Sequence, residues 1–311
     1  LLYISTGMGT VAALNAGNGQ VVWLDAPPPQ SPGDPPMAAA RGVAYWADGG
    51  DERIIAVTGA YLVALNARTG KRIATFGSDG QIDLRQGLSR AFDSYSWRSA
   101  PLVVRNVIVV GSVVGDINSA ARPVQMDAPP GDVRGYDVRS GRLLWTFRTI
   151  PRPGEVGNET WERDSWAYTG HTNVWSTMSG DEELGQVYLP PTTRTNDWYG
   201  GHRPGSNLFA ESIVALDINT GKRIWHFQGV HHGMWDYDFP CPPILADITV
   251  NGRRIKALAQ PSKQAFLYVF DRTNGRPVWP IEERPVPKGD APGEWYSPTQ
   301  PVPLDSHGKP F

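Results

Sequence analysis

The chain has 311 residues, 40% hydrophobic and 19% charged, with a formal net charge of −2, so it can bury a sizeable core and is neither a basic nucleic-acid binder nor a polybasic membrane-surface protein. Its 34 glycines, 28 prolines and 12 tryptophans favour many short strands joined by tight turns over long helices, an all-β composition. The single cysteine, Cys241, excludes an internal disulfide and reads as a buried structural thiol.

No run approaches the roughly 18 apolar residues of a membrane span. Leu1 to Ser5 begins mid-strand and Ser297 to Phe311 stops in a Pro-rich stretch, so the expectation is one domain over 1–311, partial at both ends. The missing N-terminal part would then hold any signal peptide or membrane anchor.

One unit recurs along the chain: an alternating apolar strand, Asn or Asp, a short turn ending in Gly, and a second strand that usually carries Trp. The copies run from Val11 to Trp23, Leu62 to Lys71, Arg134 to Trp145, Ile213 to Trp225 and Leu267 to Trp279. Asn or Asp caps the turn with its side chain, Gly supplies the positive φ, and the alternation buries one face of a hairpin. The turn glycines at 19, 70, 141, 221 and 275 are 51, 71, 80 and 54 residues apart, spacings that bracket a four-stranded propeller blade with insertions. A β-solenoid or a sandwich is the alternative, but solenoid repeats would be shorter and more regular. The longest inserts, 77–97, 118–131, 148–172 and 195–210, fall between copies, where function usually sits on a regular scaffold.

Several residues in and around these inserts carry chemistry. On residue type alone, Asp236 and Asp238 read as a turn cap or a surface pair on one face of an extended segment. Lys263 reads as a solvated lysine, Asp116 as a turn residue after Gly115, and Trp175 as blade packing. The adjacent His231 and His232 lack the i, i+4 spacing of a helical zinc site. Neither a P-loop nor a Gly-x-Gly-x-x-Gly after a strand is present, which removes support for a nucleotide hydrolase or a nicotinamide dehydrogenase.

Ala215 to Trp225 matches, residue by residue, the Ala-x-Asp-x-x-Thr-Gly-Lys-x-x-Trp motif of the pyrroloquinoline quinone-dependent dehydrogenases. His231-His232-Gly233-Met234-Trp235-Asp236-Tyr237-Asp238 and Pro261-Ser262-Lys263-Gln264 resemble the membrane-type glucose dehydrogenase branch of that family. The resemblance covers essentially the whole chain. It implies an all-β propeller of four-stranded blades, with about five blades' worth here and eight in the full-length family. It also implies oxidation of an alcohol, aldose or polyol hydroxyl in the periplasm. The electrons pass to ubiquinone or a cytochrome c, since no Cys-x-x-Cys-His for haem attachment occurs in the chain.

The same resemblance implies roles for single residues. Asp236 is the general base, because a carboxylate within hydrogen-bond reach can take the hydroxyl proton as hydride leaves carbon. Lys263, 27 residues on, contacts the quinone oxygens and offsets the charge that grows there. Trp175 is the floor on which the flat cofactor stacks, Arg41 binds a cofactor carboxylate, and Ser99 is a further cofactor contact, with Arg98 as an equal candidate. Asp116 anchors a Ca²⁺ or Mg²⁺ ion, and Thr195 contacts the cofactor or the metal. The chain departs from alcohol-oxidising members, which carry a vicinal disulfide where it has Met37-Ala38-Ala39-Ala40, and from the glucose branch, which has His at Met37. A second reading, a propeller that binds or assembles proteins without a cofactor, would have no use for these residues together.

Overall fold

In the computed structural model, which describes residues 1–26, 41–88, 95–115 and 126–310, the five repeated units lie on five successive antiparallel sheets. Leu2–Ser5, Val11–Leu14 and Val21–Asp25 make a three-stranded sheet. Four four-stranded sheets follow, each a meander whose strands pair in chain order. They run from Ala44–Asp48 to Gln81–Asp83, Leu102–Val104 to Leu143–Phe147, Ser179–Asp181 to Arg223–Gln228, and Ile244–Val250 to Arg276–Pro277. Ile281–Pro285 and Thr299–Pro303 pair beyond the fifth sheet, and Tyr95–Ser96 pairs with Val113–Val114. Each of the four apolar clusters draws its residues from two consecutive sheets, as blades stacked face to face require. Among the described residues no helix is long and apolar enough to cross a membrane.

The turn chemistry of the repeat holds in detail. Asp217 Oδ1 accepts from Asn219 N at 3.1 Å, Thr220 N at 2.9 Å and Thr220 Oγ1 at 2.8 Å, and Gly221 closes the turn at φ +66°. A bulge then precedes the tryptophan: Leu216 pairs with Arg223 but Ala215 with Trp225, leaving Ile224 as the extra residue. The same shift occurs before Trp23 and Trp145. The bulge turns the indole inward, so Trp23, Trp145 and Trp225 are buried while Val22 and Ile224 face solvent.

Each of these indoles reaches the turn of the next sheet. Trp145 Nε1 donates to Ile218 O at 2.8 Å, and its ring lies so close to Gly221 that a Cβ there would sit 2.6 Å away. Trp23 does the same with Ala67 O and Gly70, and Trp225 with Arg272 O and Gly275. The second unit departs from the pattern, because its sequence has no tryptophan. Ile82 packs against Gly141 instead, and Gly77 N donates to Ser140 O at 2.9 Å in place of the indole N–H. Cys241 is half-buried rather than buried, 3.9 Å from Gln260 Nε2.

Candidate active site

Four loop segments converge beside the fourth and fifth sheets: 170–178, 190–211, 229–243 and 262–266. The first two are joined by backbone bonds from Thr172 N to Thr193 O, 2.9 Å, and Thr192 N to Asn173 O, 2.9 Å. The extended face expected of Asp236 and Asp238 is not what forms. Asp236 has φ +52°, so the chain bends there, yet both carboxylates still reach one cation.

That cation is Lys263. Its Nζ lies 2.8 Å from Asp236 Oδ2 and 2.9 Å from Asp238 Oδ2. Asp238 is buried and accepts at its other oxygen from the Thr192 hydroxyl and from Thr193 N at 2.9 Å. Trp175 Nε1 donates to Asp238 Oδ2 at 3.2 Å. Arg41 lies over the Trp175 ring, its Cζ 4.8 Å from the centroid, and donates to Trp175 O at 2.9 Å. Ser99, also buried, donates to Ser176 O at 2.6 Å, while Arg98 is exposed and offers its carbonyl to Arg41 N. Five residues singled out from the sequence, Arg41, Ser99, Trp175, Asp236 and Lys263, are therefore linked directly or through one neighbour. Asp116 lies outside the described residues, as does Met37.

Thr195 stands two residues beyond the Asp238 contacts, fully buried, in a run of polar residues from Thr192 to Asp197. The hydroxyls of Thr172, Thr193 and Thr195 and both amide atoms of Asn196 are buried without a hydrogen-bond partner. So many unsatisfied polar atoms in one place call for water or a polar ligand, since buried donors and acceptors are nearly always paired. A polar planar quinone fits such a lining, and the Thr195 oxygen is of the type a hard cation takes. Among the described residues no three His, Cys, Asp or Glu side chains group as metal ligands, so a cation would also draw on oxygens of another kind or on Asp116.

Beneath the lining lies a layer of buried ions that sequence reasoning missed. Arg203 donates through Nε to Thr195 O at 2.9 Å and through Nη2 to Asn196 O at 2.8 Å and Gly233 O at 2.9 Å. It thereby ties the polar run to the loop that carries Asp236. Arg194 pairs with Glu211, and Glu211 Oε1 accepts from Tyr237 N at 3.2 Å, next to Asp236. The sequence signal for this layer was the long insert 195–210, where function usually sits, but nothing in it singled out Arg194, Arg203 or Glu211.

Burial, followed by the neighbouring Asp238 charge, pushes the Asp236 carboxyl up to about 6 against the pull of Lys263. Burial works to lower the Lys263 ammonium, but its bonds to the two carboxylates outweigh this and it is raised. A carboxylate that titrates near neutrality beside a fixed ammonium, open enough at 32% side-chain exposure to meet a solute, is suited to proton abstraction.

A family profile described as "PQQ: Glucose/ethanol/alcohol dehydrogenase, beta-propeller domain" matches residues 1–310. The chain is 35% identical over 315 residues to the quinoprotein glucose dehydrogenase of Escherichia coli (strain K12), covering 96% of the chain and 38% of that protein. It is 34% identical over 316 residues to the glycerol dehydrogenase large subunit of Gluconobacter oxydans (strain 621H), covering 96% and 41%. The crystal structure of the quinohemoprotein alcohol dehydrogenase from Comamonas testosteroni superposes with a TM-score of 0.73 at 26% identity, covering 99% of the chain and 43% of that one. The chain thus spans about two fifths of the length of these relatives.

Proposed function

Since the chain belongs to the β-propeller family of glucose, ethanol and alcohol dehydrogenases that use pyrroloquinoline quinone, we propose that it forms part of a quinoprotein dehydrogenase oxidising an alcohol, aldose or polyol hydroxyl. The observation that carries this reading is the single array of Arg41, Trp175, Asp238, Lys263 and Asp236 beside unpartnered buried hydroxyls and amides.

Asp236 takes the hydroxyl proton onto its carboxylate, which is mostly ionised at pH 7 because its carboxyl titrates at about 6. Lys263, held between two carboxylates, presents a fixed positive charge at the same point. Trp175, Arg41, Ser99 and Thr195 hold the quinone, with Arg41 suited to a carboxylate through its guanidinium fork. Thr195 and Asp116 would hold a Ca²⁺ or Mg²⁺ ion. When bound, the quinone would supply a two-electron acceptor and the cation Lewis-acid polarisation. The relatives named for glucose and glycerol favour a polyhydroxylated substrate. Ubiquinone or a cytochrome c as electron acceptor, and a periplasmic location, complete the reading.

The test is dye reduction by the full-length protein loaded with pyrroloquinoline quinone and Ca²⁺ or Mg²⁺, against a panel of alcohols, aldoses and polyols. Substrate-dependent reduction lost in Asp236→Asn supports the assignment. Undiminished turnover by that variant removes Asp236 as the base, and absence of turnover with every substrate favours a binding propeller.

A further inference from the structure

We propose that Asp238 is a positioning residue of this site, a buried carboxylate that fixes Trp175, the Thr192–Thr193 segment and Lys263 together and, by sharing Lys263 with Asp236, controls how readily Asp236 accepts a proton. The inference rests on the reading of Asp236 as the base.

The geometry gives the reason. Asp238 has 4% of its side chain exposed, against 32% for both Asp236 and Lys263. A buried carboxylate keeps its charge only if donors replace water. Among the described residues Asp238 has four: the Thr192 hydroxyl and Thr193 N on Oδ1, Trp175 Nε1 and Lys263 Nζ on Oδ2. Its carbonyl also accepts from Lys263 N at 3.2 Å, so Lys263 is tied to this residue at both ends. Three loop segments that each bring a candidate site residue thus meet on one carboxylate.

Two carboxylates share one ammonium in this array, and like charges so placed do not ionise independently. Asp238 holds the larger set of donors of the two. Asp236, bonded among the described cations to Lys263, is raised first by burial and then by the Asp238 charge beside it. Two other charged groups act on Asp238 from beneath, Arg194 and Glu211. They are paired with each other, so neither offsets the effect of Asp238 on its partner.

Asp238→Asn removes the charge and keeps the shape. Lys263 then serves Asp236 alone, which becomes a stronger acid and a weaker base. The acid limb of kcat/KM in the loaded full-length enzyme should move down by about one pH unit, with kcat reduced on the plateau. Asp238→Glu retains the charge and should leave the limb within a few tenths of its place whatever its turnover. Thr192→Val withdraws one neutral donor, turns Asp238 further toward Lys263, and should move the limb upward, which keeps the idea testable if Asp238→Asn does not fold. In the unloaded protein, infrared difference titration of carboxylates against Asp236→Asn reads the same shift without turnover. An unmoved limb in both Asp238→Asn and Thr192→Val, with Asp236→Asn inactive, overturns the role of Asp238 and leaves the base in place. Full activity of Asp236→Asn overturns the base itself.

Discussion

Gly221→Ala should destabilise the protein clearly more than Gly19→Ala, although the two glycines occupy the same position of the same turn. Gly19 has φ +74° and Gly221 φ +66°, so alanine at either carries the left-handed backbone penalty of roughly 1 kcal/mol. At Gly19 a new Cβ meets nothing within 4 Å. At Gly221 it would lie 2.6 Å from Trp145 Cδ2 and 2.7 Å from two further ring atoms. That indole is buried and pinned by its bond to Ile218 O, so it cannot swing aside without opening the contact between the third and fourth sheets. Overpacking of this kind adds about 1–3 kcal/mol, which puts Gly221→Ala at about 2–4 kcal/mol in total. Urea unfolding followed by circular dichroism measures the difference. Equal shifts for the two variants would refute the claim that the indole-on-glycine contact joins neighbouring sheets.

Glu211→Gln should cost about 3–5 kcal/mol, because it leaves the buried Arg194 without its carboxylate and weakens the bond to Tyr237 N; thermal melting checks the loss, and a change below about 1 kcal/mol would contradict it. Acid should destabilise the fold through His232, whose imidazole burial pushes down to about 4 from the usual 6.5. A histidine depressed in the folded state contributes fully above pH 6.5 and loses that contribution as pH falls toward 4, up to about 3 kcal/mol here. The stability advantage of the unsubstituted protein over His232→Asn should therefore shrink between pH 7 and pH 4, and a constant difference would rule the site out as the cause. Lys263→Ala should leave Asp236 and Asp238 facing each other without a cation, so Asp236 titrates higher and the acid limb of kcat/KM rises, opposite to the Asp238→Asn shift; a limb that falls would contradict the shared-ammonium geometry.

The propeller was legible because its signal is local and repeated. Asp217, Asn66, Asp137 and Asp271 each cap their own turn, and no distant contact is needed to read them. The second unit shows the limit: a repeat without tryptophan gives no hint that Gly77 and, on the next strand, Ile82 stand in for it. The site was less open to reading. Trp175, Asp236 and Lys263 are far apart in the chain and were brought into one reading by likeness to a family, not by spacing. Asp238 looked like a partner of Asp236 on an extended segment, and only the left-handed bend at Asp236 and the buried donors from Thr192, Thr193 and Trp175 give the two carboxylates different surroundings. The insert 195–210 was marked out by its length, but not the buried Arg194, Arg203 and Glu211 that hold the run from Thr192 to Asp197 inside the fold.

The most direct measurement is equilibrium binding of pyrroloquinoline quinone to the purified full-length protein with and without Ca²⁺ or Mg²⁺, followed by quenching of tryptophan fluorescence. Saturable quenching, strengthened by the cation and weakened at least tenfold in both Trp175→Ala and Lys263→Ala, is the predicted result. Quenching that does not saturate, or that neither substitution alters, would contradict the assignment of this array as the quinone site.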